Sequence, residues 1–215
     1  YTLDPIETPI KINQNENPFD LPEPIKREVE SRIRSRAWSR YPDFVPSSLL
    51  ERLAAFSGWR PDGILAGNGS NELIQSFMMV TVGPGTRVVI VEPTFTLYRL
   101  QASVLGGDVR SVKLDDRLSF DPAAVERAAI DDGADIVVIC SPNNPTGSFY
   151  DLADLERLLE RFDGIVVLDE AYHEFANRDA GSLLSRHRNL VILRTFSKAM
   201  AMGGLRVGYM LADPE

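Results

Sequence analysis

Apolar residues in the first part of the chain follow a helical spacing. They recur on one face over residues 24–36 and again over residues 49–56, which predicts two helices with one apolar stripe each. We expect Ser47 or Ser48 to cap the second helix, because a serine side chain accepts hydrogen bonds from the free N–H groups of a helix start. Residues 1–24 are rich in Pro, Asn and Glu, which predicts an extended arm.

From Ile64 onward the pattern changes to short β-branched runs that alternate with helical stretches. Strands that alternate with helices favour an α/β fold, a mostly parallel sheet sandwiched by helices on both faces. We expect residues 1–40 to form an N-terminal arm and helix and residues 41–215 to form one large domain. The predicted strands span residues 88–91, 109–112, 136–140, 165–168 and 190–193, and the helices between them span residues 71–82, 95–104, 122–129 and 152–162.

The composition is that of an ordinary globular domain. Of the 215 residues, 44% are hydrophobic and 25% are charged, which is enough apolar material for one sizeable core. The formal net charge of −8 argues against nucleic acid or an anionic membrane as the main partner. A phosphate ligand is still compatible with this charge, because it needs only a local cluster of donors.

Cysteine use and the chain ends favour the cytoplasm. Cys140 is the single cysteine, so no internal disulfide can form, and its place in an apolar run favours a core residue. Residues 1–12 lack the basic start and apolar run of a secretory signal, and no apolar stretch has the length of a membrane span. The chain opens on Tyr1 without an initiator Met, and we expect it to be a piece of a longer protein.

Polar residues follow three of these predicted strands and a further short strand that ends at Ala66, at the point where each strand ends. In a mostly parallel sheet the carboxyl ends of the strands meet at one edge, and ligands bind beyond that edge. The sequence therefore predicts that its candidate chemistry is gathered at one place. The four polar segments span residues 67–72, 141–147, 169–172 and 194–198.

Short motifs spread over nearly the whole chain carry a family resemblance. They are Asn15-Glu16-Asn17-Pro18, Tyr41-Pro42-Asp43, Gly67-Asn68-Gly69-Ser70-Asn71-Glu72, Pro93-Thr94-Phe95, Ser141-Pro142-Asn143-Asn144-Pro145-Thr146-Gly147, Asp169-Glu170-Ala171-Tyr172, Ser197-Lys198 and Gly204-Leu205-Arg206-Val207-Gly208. Together they resemble the aspartate-aminotransferase-like superfamily of pyridoxal-phosphate enzymes and, within it, the histidinol-phosphate aminotransferases. The resemblance implies the large domain of that fold. It also implies that a small carboxy-terminal domain, with the residue that binds the substrate carboxylate, lies beyond this chain.

The resemblance implies pyridoxal 5′-phosphate as the cofactor, held by Lys198 as a Schiff base. The amine must be neutral to attack an aldehyde, so the pKa of Lys198 has to fall from about 10.4, which desolvation and a nearby Arg206 favour. The same amine is implied to carry a proton between the substrate and the cofactor. Asp169 is implied to face the pyridine nitrogen and keep it protonated.

Three further residues are implied to surround the cofactor ring. Tyr172, a third catalytic candidate, and Asn144 resemble residues that hydrogen-bond the ring hydroxyl oxygen, and Phe95 resembles the aromatic residue that stacks on the ring. The residues alone leave alternatives open, since Tyr172 and Phe95 are also compatible with core packing. Asn144 precedes a proline and is also compatible with a plain turn.

A phosphate site is predicted at a helix start. Gly69, Ser70 and Asn71 open a helix whose free N–H groups and dipole favour an anion. Ser197 adds a hydroxyl, and Arg206 can bind two phosphate oxygens at once.

Two further motifs resemble family elements that reach the neighbouring subunit or cover the substrate. Tyr41 resembles the tyrosine that reaches across a homodimer interface to the neighbour's cofactor phosphate. Asn15 and Asn17 resemble the arm that lies over the substrate. We assign no metal site, and neither His173 nor His187 receives a catalytic role.

The resemblance implies transamination of small amino and keto acids. Histidinol phosphate and 2-oxoglutarate would give imidazole acetol phosphate and glutamate in histidine biosynthesis. An aromatic amino-acid aminotransferase or a threonine-phosphate decarboxylase of the same fold would share every cofactor residue. A non-catalytic ligand-sensing domain would share the fold alone, although no basic DNA-binding segment precedes Tyr41.

Overall fold

The computed structural model describes residues 10–176 and 178–215. One seven-stranded sheet, ordered β1-β7-β6-β5-β4-β2-β3, forms its centre. The strands are β1 (Ile64–Gly67), β2 (Arg87–Glu92), β3 (Asp108–Lys113), β4 (Ile136–Cys140), β5 (Ile165–Asp169), β6 (Leu190–Thr195) and β7 (Gly208–Leu211). The α-helices of the described ranges are α1 (Glu23–Arg34), α2 (Ser47–Ser57), α3 (Ser70–Thr81), α4 (Leu97–Val104), α5 (Pro122–Glu126) and α6 (Leu152–Arg161).

The sheet is parallel from β6 to β3 and contains one reversed strand. The pairs β2–β3, β2–β4, β4–β5 and β5–β6 are all parallel, which confirms the predicted mostly parallel sheet. Strand β7 lies antiparallel between β1 and β6 and was not predicted as a reversed strand. Because β7 runs against both neighbours, β1 points the same way as β6, and their carboxyl ends share an edge.

Both faces of the sheet are covered, and β4 shows this most directly. Every residue of β4 is buried. Val137 and Ile139 belong to the apolar core on one face, while Ile136, Val138 and Cys140 belong to the core on the other. Helix α6 packs into the first core and α3 into the second. Each fully buried aliphatic side chain contributes roughly 1.5–3 kcal/mol to folding.

Cys140 is a core residue, as its position in the sequence indicates. Its side chain lies at the end of β4 with 4% exposure. Burial raises the pKa of the thiol to about 12, so the nucleophilic thiolate is disfavoured.

Several helix boundaries differ from the sequence prediction. The residue before α2 is Pro46, with no side-chain cap, so the predicted cap at Ser47 or Ser48 is wrong and both serines lie in the first turn. Helix α4 begins at Leu97 instead of Phe95, because Pro93 and Thr94 form a bend that delays the helix. Helix α5 ends at Glu126 and continues as a π-helical turn over Arg127–Asp131.

The structure describes the predicted arm only from residue 10 onward, and α1 begins at Glu23, inside the predicted range. Residues 1–9 of the predicted arm lie outside the described residues, and residues 10–22 contain neither helix nor strand. In the described ranges, no helix has both the length and the apolar character that a bilayer crossing requires.

Candidate active site

The carboxyl ends of β1, β4, β5 and β6 meet at one edge of the sheet, as the sequence predicts. Asp169 is the last residue of β5 and pairs in register with Cys140 of β4. Lys198 follows the end of β6, and α3 starts just beyond the end of β1. The structure therefore brings the lysine, the aspartate and the helix start to the same side of the domain.

Asp169 is a buried carboxylate with two hydrogen-bond donors. The Tyr98 hydroxyl donates to Oδ2 over 2.6 Å, and the Ala171 N–H donates to Oδ1 over 2.9 Å. Burial raises the pKa of Asp169, and these two hydrogen bonds oppose the rise. Asp169 forms no ion pair with any described residue, so a cation placed beside it would relieve the cost of burying its charge.

Lys198 differs from the other lysines of the chain. Lys11, Lys26 and Lys113 each form an ion pair with a carboxylate, whereas Lys198 forms none with a described residue. Its Nζ donates instead to the backbone carbonyl oxygens of Gln14, over 2.8 Å, and Asn15, over 3.3 Å.

Burial lowers the pKa of the Lys198 amine. The negative charge of Glu16 opposes this shift, and the positive charge of Arg206 adds to it. A lysine with a lowered pKa is neutral more often at a given pH, and the neutral amine is the nucleophile.

The two arm asparagines lie over Lys198 and Tyr172. The Asn15 amide donates to the Tyr172 hydroxyl over 3.0 Å, and the Asn17 amide donates to the Ala199 carbonyl oxygen over 3.1 Å. Burial raises the pKa of Tyr172, so its hydroxyl stays protonated and can also donate. The arm thus closes one side of the space around the lysine.

The start of α3 offers uncapped hydrogen-bond donors beside an arginine. Gly69 precedes the helix with φ +86° and supplies no side-chain cap, so the first N–H groups of α3 remain free to donate. Arg206 lies against this turn, with Nη2 3.3 Å from the Asn68 carbonyl oxygen and Nη1 3.4 Å from the Ser197 hydroxyl. The φ of +86° favours glycine at position 69, and a Cβ there would also lie 2.3 Å from Arg206 Nη2.

Phe95 and Asn144 lie at neighbouring strand ends. The Phe95 ring meets the Tyr98 ring edge to face, with 5.6 Å between centroids. The Asn144 side chain makes no hydrogen bond to a described residue, while its neighbour Asn143 is buried and donates to the Pro93 carbonyl oxygen over 2.9 Å.

Tyr41 is a nominated residue that no described contact joins to the others. It lies between α1 and α2 and is 97% exposed. No described hydrogen bond or ring contact links it to Lys198, Asp169 or Arg206.

Tyr98 and a buried ion-pair cluster were missed by the sequence reasoning. Arg194 donates from Nε to Glu170 over 2.9 Å and from Nη2 to Asp179 over 2.5 Å. Tyr98 lies at core spacing in a helix and looks like ordinary packing. A signal for the cluster did exist, because Arg194 interrupts an apolar strand and Glu170 follows directly on Asp169.

An α/β sheet with a lysine, a buried aspartate and an uncapped helix start at one edge is the arrangement of the large domain of the aminotransferase fold. The chain belongs to the aminotransferase class I and II family, whose sequence profile matches residues 7–215.

Among the relatives that the chain resembles are histidinol-phosphate aminotransferases. The chain is 41% identical over 210 residues to histidinol-phosphate aminotransferase of Chlorobaculum tepidum, covering 97% of this chain and 60% of that protein. Its backbone matches histidinol-phosphate aminotransferase from Sinorhizobium meliloti, solved in complex with pyridoxal-5′-phosphate, with a TM-score of 0.85 at 28% identity, over 94% of this chain and 55% of that one. The likeness to L-threonine-O-3-phosphate decarboxylase from Porphyromonas gingivalis concerns the fold alone, with a TM-score of 0.75 at 23% identity, over 90% of this chain and 59% of that one. The chain therefore spans at most about three fifths of the length of these relatives.

Gly208 provides a test of how the helix start is held in place. A Cβ on Gly208 would lie 2.4 Å from Ser70 N and 2.6 Å from Gly69 C, so an added methyl group must push β7 away from α3. We expect Gly208→Ala to lower the free energy of unfolding by about 1–3 kcal/mol, measured by denaturant titration. Gly83→Ala is the matched control, because a Cβ there meets nothing within 4 Å. Equal effects of the two substitutions would contradict the packing described here.

Proposed function

We propose that this chain is the cofactor-binding part of a pyridoxal-phosphate-dependent aminotransferase that acts on histidinol phosphate and 2-oxoglutarate. The observation that carries the cofactor assignment is Lys198, the lysine with a lowered pKa and no carboxylate partner among the described residues. The substrate assignment is supported by the 41% identity to histidinol-phosphate aminotransferase of Chlorobaculum tepidum.

The donor set at the edge of the sheet fits pyridoxal phosphate. The cofactor carries a phosphate group and a basic ring nitrogen. The free N–H groups at the start of α3, with Ser197 and Arg206 beside them, suit the phosphate. Asp169 is a buried carboxylate without a described ion-pair partner, and it suits a protonated ring nitrogen.

When bound, pyridoxal phosphate supplies an aldehyde that reacts with amines and a ring that withdraws electrons. Lys198 would supply the neutral Nζ amine that holds the cofactor, and the same atom could take up and return a proton. Asp169 would place its negative charge beside the ring nitrogen and so favour the protonated ring. Tyr172 and Asn144 would donate hydrogen bonds to the ring hydroxyl oxygen, and Phe95 would pack on the ring face.

The remaining assignments concern the assembly and the substrate. Asn15 and Asn17 lie over Lys198 and Tyr172, which supports a role of the arm in covering the substrate. Tyr41 is almost fully exposed, which agrees with a homodimer in which it reaches the neighbour's phosphate site. We place the protein in the cytoplasm, where a biosynthetic aminotransferase would meet its substrates.

Replacing Lys198 tests the attachment of the cofactor. We expect Lys198→Ala in the full-length protein to abolish stoichiometric covalent attachment, because Lys198 is the lysine of this chain that lies at the sheet edge with Asp169 and the start of α3. The measurement is the mass of the protein after incubation with pyridoxal phosphate and reduction with borohydride. Lys113→Ala is the control, since Lys113 is a surface lysine paired with Glu92. Cofactor still bound covalently to Lys198→Ala would refute the assignment.

Arg206 is expected to bind the phosphate through its planar fork of donors. Arg206→Ala should weaken pyridoxal-phosphate binding on the order of 10- to 100-fold, and Arg206→Lys should restore only part of it, since lysine keeps the charge and loses the fork. Fluorescence titration of the cofactor-free protein gives these affinities. Arg110→Ala, which removes an exposed arginine on β3, should change nothing. An unchanged affinity in Arg206→Ala would remove this residue from the phosphate site.

The substrate is tested with the full-length, cofactor-loaded protein and histidinol phosphate alone, without a keto acid. We expect the visible absorbance of the bound cofactor to give way to that of pyridoxamine phosphate, because one half of a transamination needs only the amino donor. Release of imidazole acetol phosphate, detected by mass spectrometry, should accompany the change. An unchanged spectrum with histidinol phosphate but a changed one with an aromatic amino acid would assign a different amino substrate. Carbon dioxide release from threonine phosphate would assign a decarboxylase.

A further inference from the structure

We propose that Tyr98 is a positioning residue that holds Asp169 in one orientation and keeps its carboxylate anionic toward the ring nitrogen of the cofactor. This inference deepens the proposed function and rests on it. It concerns a residue that contributes no atom to the open part of the site.

Tyr98 and Asp169 form a closed pair inside the domain. Tyr98 is 1% exposed and Asp169 is 3% exposed, so neither group exchanges its partner with bulk water. The Tyr98 hydroxyl occupies Oδ2 and the Ala171 N–H occupies Oδ1. With one donor fixed on each oxygen, the carboxylate cannot rotate without breaking a buried hydrogen bond.

The direction of the hydrogen bond is set by the surrounding charges. Burial and the neighbouring negative charge of Asp169 raise the pKa of Tyr98, so the phenol keeps its proton and donates. The other titratable groups around the pair are Cys140, whose thiol burial keeps neutral, Glu170, whose charge raises the pKa of Asp169, and Tyr172, whose pKa burial raises. Among the groups around the carboxylate, Tyr98 therefore favours the charged form most strongly.

Tyr98 also supports a second proposed cofactor contact. Its ring meets Phe95 edge to face at 5.6 Å, and Phe95 is the residue that we assign to the face of the cofactor ring. One tyrosine in the first turn of α4 thus touches the residue for the ring face and the residue for the ring nitrogen. The position of Phe95 relative to Asp169 therefore depends on the Tyr98 side chain.

Tyr98→Phe in the full-length protein removes the donor and keeps the ring. We expect the affinity for pyridoxal phosphate, measured by titration of the cofactor-free protein, to fall roughly tenfold. We also expect the pH midpoint of the absorbance change of the bound cofactor to rise. Without the donor, Asp169 is a stronger base and takes more of the proton of the ring nitrogen, and a less positive ring holds its remaining protons more tightly.

Tyr150→Phe is the matched control. Tyr150 is equally buried, and its hydroxyl has no hydrogen-bond partner within the described residues. The control removes the same atom and should move neither the affinity nor the pH midpoint. A shift of equal size in both variants would assign the effect of Tyr98→Phe to packing and overturn the proposal.

A double-mutant cycle separates positioning from general damage to the fold. In an Asp169→Asn background, Tyr98→Phe should shift the pH midpoint no more than the Tyr150 control does, because the carboxylate that Tyr98 acts through is gone. An undiminished effect in that background would overturn the proposal. Should Tyr98→Phe fail to fold, a fluorinated tyrosine at position 98 keeps the shape and donates more strongly, and it should lower the midpoint. A midpoint that stayed in place would overturn the proposal equally.

The proposed function and the role of Tyr98 can be disproved separately. A wild-type protein that binds no pyridoxal phosphate would overturn the proposed function and this inference with it. If the wild-type protein binds pyridoxal phosphate and Tyr98→Phe has the same affinity and pH midpoint as the wild type, the role of Tyr98 alone is overturned.

Discussion

The insertion of β7 between β1 and β6 is the constraint on which the candidate site depends. In register, Gly208 faces Gly67 on one side and Thr195 on the other. The turn that leads into α3 and the turn that carries Lys198 are therefore separated by a single strand. Arg206 lies two residues before Gly208 and bonds to both turns, at Asn68 and at Ser197. A glycine at the start of β7 permits this approach, because its backbone lies against the first N–H of α3.

A buried ion pair fixes the other half of the site. Arg194 of β6 and Glu170, which follows β5, face each other with almost no exposure, and Asp179 accepts a further bond from the same guanidinium. The pair joins the end of the strand that carries Asp169 to the end of the strand that leads to Lys198. Buried charges of this kind are costly to separate, so the ends of β5 and β6 keep a fixed position relative to each other. Tyr98 then orients Asp169 within that frame.

The sequence predicted strands β2 to β6 and the edge at which they end, because short β-branched runs and polar strand ends are local signals. The reversed direction of β7 could not be obtained in the same way. Hydrophobic spacing identifies a strand and carries no information about its direction, and the four residues of β7 follow a glycine-rich turn that resembles other strand entries in this chain. The role of Tyr98 was missed for a related reason. A tyrosine at core spacing gives the same pattern whether its hydroxyl meets a carboxylate or nothing, as Tyr98 and Tyr150 show.

The contact between the arm and Lys198 links two equilibria. A protonated amine has three N–H donors and a neutral amine has two, and the arm offers two backbone carbonyl oxygens to this group. Acceptors favour the protonated amine, so docking of the arm and protonation of the lysine strengthen each other. By the same reciprocity, displacing residues 14 and 15 removes these acceptors and also exposes the amine to water, and the two changes move the pKa of the lysine in opposite directions. The arm therefore acts on the reactivity of the lysine as well as on access to it.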